Sequence, residues 1–375
     1  MGRWFKNVWV LSLKELKSLF SDPTLLVLIV VFLSVAVYTV AKGITTEVRN
    51  ASVAIIDEDQ SQLSFRIRDA LQTPYFKKPV AILPDQVDEA MDKGDYVFVI
   101  TIPVNFEKDV LANRPVSIQV LADATAVTQA GIGTMYLNQI VQNEIGQFRH
   151  QSTTASLLPV NPVVQVLYNP NTQTHWYTGV AQVLNNITLL AMILVGAAVI
   201  REKEHGTIEH LLVMPVRASE IAISKILTNG LVITIAALLS LWLVVHTWLQ
   251  VPINGSIGLY VLGTGIYLFS VASLGICLAT VAPTMPQFGL LCLPIYMVSR
   301  LLSGSESPIE SMPDWIQHIT MYSPVTQYMQ FGQEVLFRNA GFDIVWKRLL
   351  VMSMMGAAFL AFALKRFRSM LASQG

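Results

Sequence analysis

The sequence predicts a polytopic α-helical membrane protein with six transmembrane helices and an extracytoplasmic α/β domain inserted between the first and the second. Two observations predict this fold class. Apolar residues make up 53% of the 375 residues and charged residues only 13%, a composition far outside that of soluble domains. The apolar residues are also gathered into runs close to the length of about 20 residues that a helix needs to cross a bilayer.

Six apolar runs define the predicted spans, and the apolar cores of all but the fifth contain no Lys, Arg, Asp or Glu. The predicted spans cover residues 22–42, 176–200, 226–250, 257–282, 288–302 and 346–365. Residues 1–21 precede them as an amphipathic helix that we expect to lie in the membrane interface. Residues 303–345 connect the last two spans on the outer side, and residues 366–375 form a tail.

The distribution of Lys and Arg predicts the orientation of the chain. Positive residues cluster in the N-terminal arm, in the connection between the second and third spans, and in the C-terminal tail. With six spans all three clusters lie in the cytoplasm, so both termini are predicted to be cytoplasmic. Lys347 and Arg348 oppose this rule at the outer end of the sixth span, where they can snorkel beside Trp346.

Residues 43–175 have ordinary soluble character and are predicted to form the extracytoplasmic domain. From Lys42 to His175 the chain has 14 carboxylates and 10 basic residues. Short β-branched runs alternate with helical patterns, which is typical of a small α/β domain. The predicted strands cover residues 51–56, 80–83, 96–102 and 116–121, and the predicted helices cover 63–71, 85–93, 103–112 and 126–150. We interpret Asp57, Glu58 and Asp59, after the first strand, as a solvated turn rather than a metal site.

Motifs for catalysis, cofactor binding and metal binding are absent from the sequence. No G-x-x-x-x-G-K-[ST] run occurs, so the chain cannot hold nucleotide phosphates in a P-loop. His205 and His210 do not form H-E-x-x-H, and no nucleophile, base and orienting group occur at informative spacing. Cys277 and Cys292 lie in apolar runs and are expected to be packing residues. We predict no catalytic residue, bound cofactor or metal, and the net charge of zero gives no reason to expect nucleic-acid binding.

Arg300 is the one charged residue within the apolar core of a predicted span. It lies twelve residues after Phe288, about 18 Å along a helix, in the outer half of the fifth span. A bare charge at this depth costs at least a few kcal/mol unless it is paired or snorkels, and Glu306 and Glu310 are nearby candidates for pairing. We favour snorkelling over a role in a substrate pathway.

The central loop, residues 201–225, is longer than a connection between two membrane helices needs, and its sequence contains its own helical pattern. Its sequence predicts a helix, a break, a short cross-helix at Ile208–Val213, a second break and another helix. Gly206 ends the first helix and Thr207 caps the cross-helix. Ile208, Leu211 and Leu212 form the apolar edge of the cross-helix, and Pro215 ends it. The cross-helix could lie on the membrane surface, but the carboxylates Glu202, Glu204 and Glu209 around it favour a surface that contacts another protein.

Two separated motifs and the order of the elements resemble the ABC-2-type transporter permeases. The first motif is RE-x-E-x-GT-x-E-x-LLV-x-P in the central loop, and the second is LLSG-(x)3-P-x-E-x-MP-x-W-x-Q at Leu301–Gln317. Ser323-Pro324 and Tyr328 follow the second motif. An interfacial helix, one span, a large external domain and five further spans complete the likeness, which covers essentially the whole chain. It is strongest to bacterial inner-membrane permeases with a large periplasmic domain.

The resemblance implies a non-catalytic transport subunit of the bacterial inner membrane that binds ABC ATPase subunits from the cytoplasm. ATP and Mg²⁺ would be held by the ATPase, and the short cross-helix would be the coupling helix. The implied ATPase-contact residues are Glu202, Glu204, Gly206, Thr207, Ile208, Glu209, Leu211, Leu212 and Pro215. The further implied partners are a second permease, identical or homologous, a periplasmic membrane-fusion adaptor and an outer-membrane channel.

In this family residues 303–345 would form a bent, partly re-entrant outer segment. The outer-gate candidates are Arg300, Ser303, Gly304, Glu310, Pro313 and Trp315. Arg300 departs from the family pattern, in which an apolar or small residue is expected at this position.

The sequence therefore predicts the permease subunit of an ATP-driven ABC exporter. Because the spans offer almost no charges, the expected cargo is an amphiphilic or hydrophobic compound that leaves the cytoplasm or the inner membrane. The alternative is a membrane-anchored sensor or assembly scaffold with a periplasmic ligand-binding domain, but a sensor usually has one or two spans and a cytoplasmic output domain. A secondary carrier is disfavoured, because no acidic residue lies within a span and the spans show no inverted repeat.

Overall fold

The computed structural model describes residues 2–43, 50–123, 127–152, 169, 173–204 and 216–372. The chain divides into two compact units. Unit 1 comprises Met1–Ile44, Leu167–Asn171 and His175–Gly375, and unit 2 comprises Thr45–Val166 and Thr172–Thr174. Residues 205–215 of the central loop, with the predicted coupling helix, lie outside the described residues.

Helices make up most of the described residues. The helices α1 to α14 cover, in chain order, Gly2–Phe20, Pro23–Leu33, Val35–Gly43, Gln62–Ala70, Val87–Asp92, Phe106–Leu111, Val127–Ser152, Thr174–Glu204, Ala218–Ser240, Ile257–Val281, Met285–Leu301, Asp314–Thr320, Pro324–Leu336 and Phe342–Ala372. The strands β1 to β4 cover Val53–Asp57, Val80–Ala81, Phe98–Ile102 and Gln119–Ala122. A π-helical stretch at Leu241–Trp248 continues α9. Unit 2 contains α4 to α7 and the four strands, and unit 1 contains the other helices.

Unit 1 is a polytopic helical membrane unit with five candidate spans among its described residues. These spans are Pro23–Gly43, Thr174–Glu204, Ala218–Trp248, Ile257–Val281 and Phe342–Arg366. They overlap the first, second, third, fourth and sixth predicted spans. The fifth predicted span falls on α11, a helix of 17 residues with Pro294 in its interior.

The first span is interrupted at Ser34, between α2 and α3. The side-chain amide of Asn186 in α8, which is 1% exposed, donates a hydrogen bond to the Phe32 carbonyl oxygen beside this interruption. A carbonyl group that loses its helical partner in an apolar environment needs another donor, since no water is present to supply one. The second span therefore carries a polar residue that stabilises the shape of the first.

The helix α8 lies at the centre of unit 1. From Gly179 to Ile200 every residue except Ile193 is buried, so this helix is apolar on nearly all sides, as expected for a core helix. Its neighbour α10 approaches it closely at Gly275, where an added Cβ would lie 2.8 Å from the Met192 carbonyl oxygen. Glycine allows this close approach, because a Cβ at this position would collide with the α8 backbone unless the helices shifted apart.

The strands of unit 2 form a four-stranded sheet in the order β2-β1-β3-β4. The strand β1 is parallel to both β2 and β3, and β4 is antiparallel to β3. In the register of the sheet Val53 pairs with Phe98, and Phe98 pairs with Ala122. The ladder between β3 and β4 ends at the pair Thr101 and Gln119. The fourth strand therefore begins three residues later than the sequence predicts.

Helices cover both faces of this sheet. On one face Phe98 and Ile100 pack into a core that includes residues of α4, α6 and α7. On the other face Ala54, Ile56 and Val99 pack against residues of α5. Successive side chains of a strand point to opposite faces, so the two central strands are apolar on both sides, which is typical of buried parallel strands.

Candidate functional site

The two stems of the central loop are the last turn of α8 and the first turn of α9, and carboxylates fix both. Glu204 accepts a hydrogen bond from the Met285 backbone N–H at 2.8 Å, at the N-terminus of α11. Glu220 accepts hydrogen bonds from the Arg217 backbone N–H at 2.9 Å and from the side-chain amide of Asn7 in α1 at 3.2 Å. A carboxylate at a helix N-terminus satisfies unpaired N–H groups and complements the helix dipole. Each stem is thereby attached to another helix of unit 1.

Lys225 forms a buried ion cluster between the stems and α1. Its Nζ atom lies 2.8 Å from a carboxylate oxygen of Glu15 and 3.0 Å from one of Glu202. The Lys225 side chain is only 1% exposed. Lys14 adds a second cation at 3.4 Å from Glu202. A buried ammonium group is tolerated when it is paired and hydrogen-bonded, so this Lys225 cluster ties α1, α8 and α9 together.

Two further contacts attach the N-terminal region to the same stems. Arg201, in the last turn of α8, pairs with Asp22 at 2.9 Å between the guanidinium and the carboxylate. Thr228 of α9 donates a hydrogen bond from its hydroxyl to the Ser12 carbonyl oxygen at 3.1 Å. The helices that enter and leave the central loop, α8 and α9, are therefore both held by the N-terminal segment.

Glu15 is not among the residues predicted from the sequence, although a signal for it exists. Val8 and Leu19 are the buried residues of α1. Val8, Ser12, Glu15 and Leu19 follow one another at intervals of four, three and four residues, which places them on one side of a helix. A carboxylate in line with two buried apolar residues indicates a buried partner of opposite charge.

Of the nine predicted ATPase-contact residues, Glu202 and Glu204 lie among the described residues. The carboxylates of both residues already bind groups of this chain. Glu202 forms an ion pair with Lys225, and Glu204 accepts a hydrogen bond from the Met285 N–H. The other predicted contacts, which are Gly206, Thr207, Ile208, Glu209, Leu211, Leu212 and Pro215, lie outside the described residues. Their assignment stays a prediction.

Arg300 in α11 pairs with Glu306. The Glu306 Oε1 atom lies 2.6 Å from Nη2 and 3.0 Å from Nε of Arg300. Of the two partners that the sequence suggests, the structure selects Glu306, and Glu310 makes no ion pair within the described residues. The charge of Arg300 is therefore compensated within the chain, as a charge near the end of an apolar helix requires.

A tight turn at Ser303 and Gly304 follows α11. Gly304 has a φ angle of +85°, a conformation that glycine adopts without strain. Its carbonyl oxygen accepts a hydrogen bond from the Tyr177 hydroxyl at 2.9 Å, and Tyr177 in turn accepts one from the Gln333 side-chain amide at 3.2 Å. Ser303 is fully buried and donates to the Arg300 carbonyl oxygen at 2.7 Å. These bonds fix the turn to α8 and α13.

The predicted outer-gate residues do not form a single group. Ser303, Gly304 and Glu310 line one cavity of about 450 Å³, which Arg300 adjoins through its ion pair with Glu306. Pro313 and Trp315 do not line this cavity. Pro313 precedes α12, and the Trp315 side chain is 67% exposed.

Buried tyrosines hold α13 within unit 1. The rings of Tyr267 in α10 and Tyr328 in α13 are stacked with their centroids 3.8 Å apart. The Tyr328 hydroxyl lies 3.0 Å from the Thr264 hydroxyl and 3.2 Å from the Tyr260 hydroxyl. Buried hydroxyl groups are stable when they bond to one another. Tyr328 follows the second sequence motif, but only the packing reveals its partners.

The acidic turn after β1 caps a helix in unit 2. Asp59 accepts hydrogen bonds from the backbone N–H groups of Phe106 at 2.9 Å and Glu107 at 3.0 Å, at the start of α6. Glu107 accepts one from the Leu63 N–H at 3.0 Å, at the start of α4. The interpretation of this turn as solvated is therefore wrong for Asp59 and correct for the exposed Glu58. The described residues contain no group of three or more His, Cys, Asp or Glu that could hold a metal ion.

Known proteins of one family are similar to this chain along both of its units. Residues 24–365 match the family described as ABC-2 family transporter protein. The chain is 43% identical over 368 residues to the inner membrane transport permease YhhJ of Escherichia coli strain K12, with 98% of each chain covered. It is 28% identical over 349 residues to the probable multidrug ABC transporter permease YbhR of that strain, covering 92% of this chain and 94% of YbhR. A third relative is the probable multidrug ABC transporter permease YbhS of the same strain. It is 24% identical over 338 residues, which cover 88% of each chain. The chain therefore belongs to the ABC-2 family of transporter proteins and is a membrane-embedded permease.

Proposed function

We propose that this chain is the membrane-spanning permease subunit of an ATP-driven ABC exporter. Its sequence has no P-loop, so a separate ABC ATPase supplies the energy of ATP hydrolysis. The observation that carries the proposal is the Lys225 cluster, in which the ammonium group of Lys225 in α9 joins Glu202, in the last turn of α8, to Glu15 of α1. If a bound ATPase displaces the loop, the base of the loop must be rigid for that displacement to reach the membrane spans on either side of it.

In this proposal Ile208–Val213 is the coupling helix, and its apolar edge, Leu211 and Leu212, fits a groove on the ATPase. Glu209 flanks that edge. Glu202 and Glu204 act as positioning residues, because their carboxylates hold the stems of the loop to α9 and α11. Closure of the ATPase then moves α8 and α9 together with α1.

We propose six spans, with α11 as the fifth, both termini in the cytoplasm and unit 2 in the periplasm. A helix of 17 residues is about 26 Å long, close to the apolar thickness of about 30 Å. Its side chains support a membrane location, since Leu290, Leu293, Met297, Val298 and Leu301 are exposed. The exposed Phe5, Trp9 and Leu13 of α1 similarly support placement in the membrane interface.

The proposed cargo is an amphiphilic or hydrophobic compound that leaves the cytoplasm or the inner membrane. The description of YbhR as a probable multidrug permease supports this class. Two permeases, identical or homologous, would enclose the path, and a periplasmic membrane-fusion adaptor and an outer-membrane channel would continue it.

A sensor or scaffold with a periplasmic ligand-binding domain has less support. Small ligands of open parallel sheets bind outside the carboxyl ends of the strands, where neighbouring connections run in opposite directions. In unit 2 that position lies between β1 and β3, and the Asp59 carboxylate is bound there to the N-terminus of α6. A side chain of the domain itself thus takes up donors that a ligand would use.

Co-purification with an ABC ATPase tests the proposal directly. The chain is co-expressed with the ATPase, solubilised in a non-ionic detergent and isolated through a tag on the permease. We expect the ATPase to co-purify with the unchanged chain and to be lost from Leu211→Asp/Leu212→Asp, because two carboxylates on the apolar edge prevent its burial. Transport by inverted membrane vesicles, with and without the ATPase, then identifies the cargo from a panel of drugs and lipids.

The matched control is Val104→Asp, which places a carboxylate on an exposed apolar residue of unit 2. This variant should retain the ATPase. If the loop variant folds, binds the ATPase and supports transport, the assignment of Ile208–Val213 as the coupling helix is wrong.

A further inference from the structure

The cavity of about 450 Å³ in unit 1 is large enough for a small organic group, since ligand pockets commonly measure about 300–1,000 Å³. One side of it is the chain that follows α11, which includes Ser305 and Glu310. The other side comes from α13 and from residues near the start of α14, including Arg348. Tyr177 of α8 completes the lining.

Two ion pairs are already formed at this cavity. The Arg348 guanidinium binds both carboxylate oxygens of Glu334, at 2.6 and 2.7 Å. Glu306 is paired with Arg300 at 2.6 Å. Each pair joins one positive and one negative group. The two pairs therefore line the cavity without adding a net charge to it.

Two charges of opposite sign remain for a ligand. Glu310 and Arg338 line the same cavity, both are exposed, and neither side chain has an ion-pair partner among the residues that the structure describes. A simple anion would be repelled by the Glu310 carboxylate, and a simple cation would be repelled by the Arg338 guanidinium. A neutral ligand that carries one charge of each sign avoids both repulsions.

Most of the other lining residues are polar, and the lining also includes Pro308 and Ile309. Ser305, Gln330 and Gln333 carry hydrogen-bonding groups. Tyr177 bonds simultaneously to the Gly304 carbonyl oxygen and to Gln333, so the two sides of the cavity are linked. Pre-organised polar groups reduce the entropy that binding must overcome.

We propose that this cavity binds the polar end of a zwitterionic amphiphile. Its ammonium group lies against Glu310 and its anionic group against Arg338, while serine and glutamine side chains bond to the linking atoms. The proposal deepens the proposed function, because it defines the head group of an amphiphile that meets the permease at the predicted outer segment. Binding itself requires neither ATP nor the ATPase.

The test measures binding of a water-soluble head group by the purified full chain in a non-ionic detergent. The probe is glycerophosphoethanolamine, which has an ammonium and a phosphodiester, and ethanolamine and inorganic phosphate are the single-charge comparisons. Saturation-transfer NMR or calorimetry should show that the zwitterion binds about tenfold or more tightly than either comparison, since two charge-assisted bonds act together. Glu310→Gln and Arg338→Gln should each weaken its binding by about tenfold.

Two variants control for the loss of charge itself. Asp88→Asn and Arg114→Gln remove exposed charges of unit 2 and should leave the affinity unchanged. Equal binding of phosphate and zwitterion, no binding of the zwitterion at millimolar concentration, or full binding by Glu310→Gln and Arg338→Gln would each overturn the proposal.

A reconstituted system distinguishes a lipid that the permease transports from a lipid that stays bound to it. Proteoliposomes that contain the permease and its ATPase are loaded with a fluorescent phosphatidylethanolamine, and its ATP-dependent movement is followed. Movement that Glu310→Gln reduces identifies the zwitterion as cargo, whereas unchanged movement with lost binding identifies a resident lipid. Loss of ATPase association with binding intact would contradict the proposed function alone, and the reverse result would contradict the zwitterion site alone.

Discussion

The Lys225 ammonium in α9 lies 2.8 Å from the Glu15 carboxylate in α1, although the two residues are 210 positions apart in the chain. The same ammonium lies 3.0 Å from Glu202 in α8. Two carboxylates around one buried cation form a cluster whose charges are compensated only when all three helices are in place. The base of the central loop therefore depends on the N-terminal helix.

Replacing Lys225 by Met should destabilise the protein strongly. Glu15 would keep a largely buried carboxylate without its cation, and Glu202 would lose its closer cation while Lys14 stays at 3.4 Å. Removing one partner of a buried ion pair typically costs about 3–5 kcal/mol. The measurement is the thermal stability of the detergent-purified chain. Lys17→Met, which removes an exposed cation of α1, should change little.

A second variant separates charge from packing in this cluster. Lys225→Met/Glu15→Gln/Glu202→Gln should recover part of the lost stability, because the two carboxylates become neutral amides and the one remaining charge, on Lys14, is exposed to solvent. If the triple variant is less stable than Lys225→Met alone, the cluster acts through shape and not through charge.

Gly275→Ala should destabilise unit 1, whereas Gly265→Ala in the same helix should not. An added Cβ at Gly275 would lie 2.8 Å from the Met192 carbonyl oxygen, while one at Gly265 has no neighbour within 4 Å. Overpacking of this kind typically costs about 1–3 kcal/mol, and alanine in an open helical position stabilises by up to about 1 kcal/mol. The two melting temperatures, measured in one detergent, should therefore move in opposite directions. Equal shifts would mean that α8 and α10 are farther apart than the structure shows.

Asn186→Leu should weaken the contact between the first and second spans. The Phe32 carbonyl oxygen would lose its donor, and an unsatisfied buried acceptor costs about 1–3 kcal/mol. Thr234→Val is the control, because that hydroxyl bonds to the Gly230 carbonyl oxygen of its own helix. Hydrogen exchange of the 23–43 peptide should increase in Asn186→Leu and remain unchanged in Thr234→Val.

Asp59→Ala should loosen the start of α6 in unit 2. Two backbone N–H groups would lose their acceptor, and loss of an N-cap typically costs about 0.5–2 kcal/mol. Hydrogen exchange of the 103–112 peptide in the full chain should become about 2- to 30-fold faster, as that energy implies. Glu58→Ala changes an exposed neighbour and should leave the rate as it was. A similar acceleration in both variants would argue against capping by Asp59.

Several features of the fold were predictable from the sequence because they depend on local patterns. Five apolar runs appear as helices long enough to cross a membrane, since hydropathy and length alone define such a segment. The β-branched run at residues 96–102 contains β3. Arg300 pairs with Glu306, a partner only six residues away that the rule for intramembrane charges suggests.

Other features were not predictable because they depend on residues distant in the chain. The acidic turn at Asp57, Glu58 and Asp59 looked solvated, yet Asp59 caps a helix that begins 47 residues later. The strand order in unit 2 and the tyrosine stack on Tyr328 likewise require the positions of other elements. Neither hydropathy nor local propensity contains that information.

The sequence by itself determined that this protein is a membrane permease of the ABC-2 family, because its apolar runs, its missing P-loop and its two motifs are properties of consecutive residues. Only the tertiary structure decided which charges are compensated. Glu15, Glu202 and Lys225 meet because three helices pack together, whereas Glu310 and Arg338 line a cavity without an ion-pair partner among the described residues. The energy of a charge depends on what surrounds it in space, and that environment is set by packing.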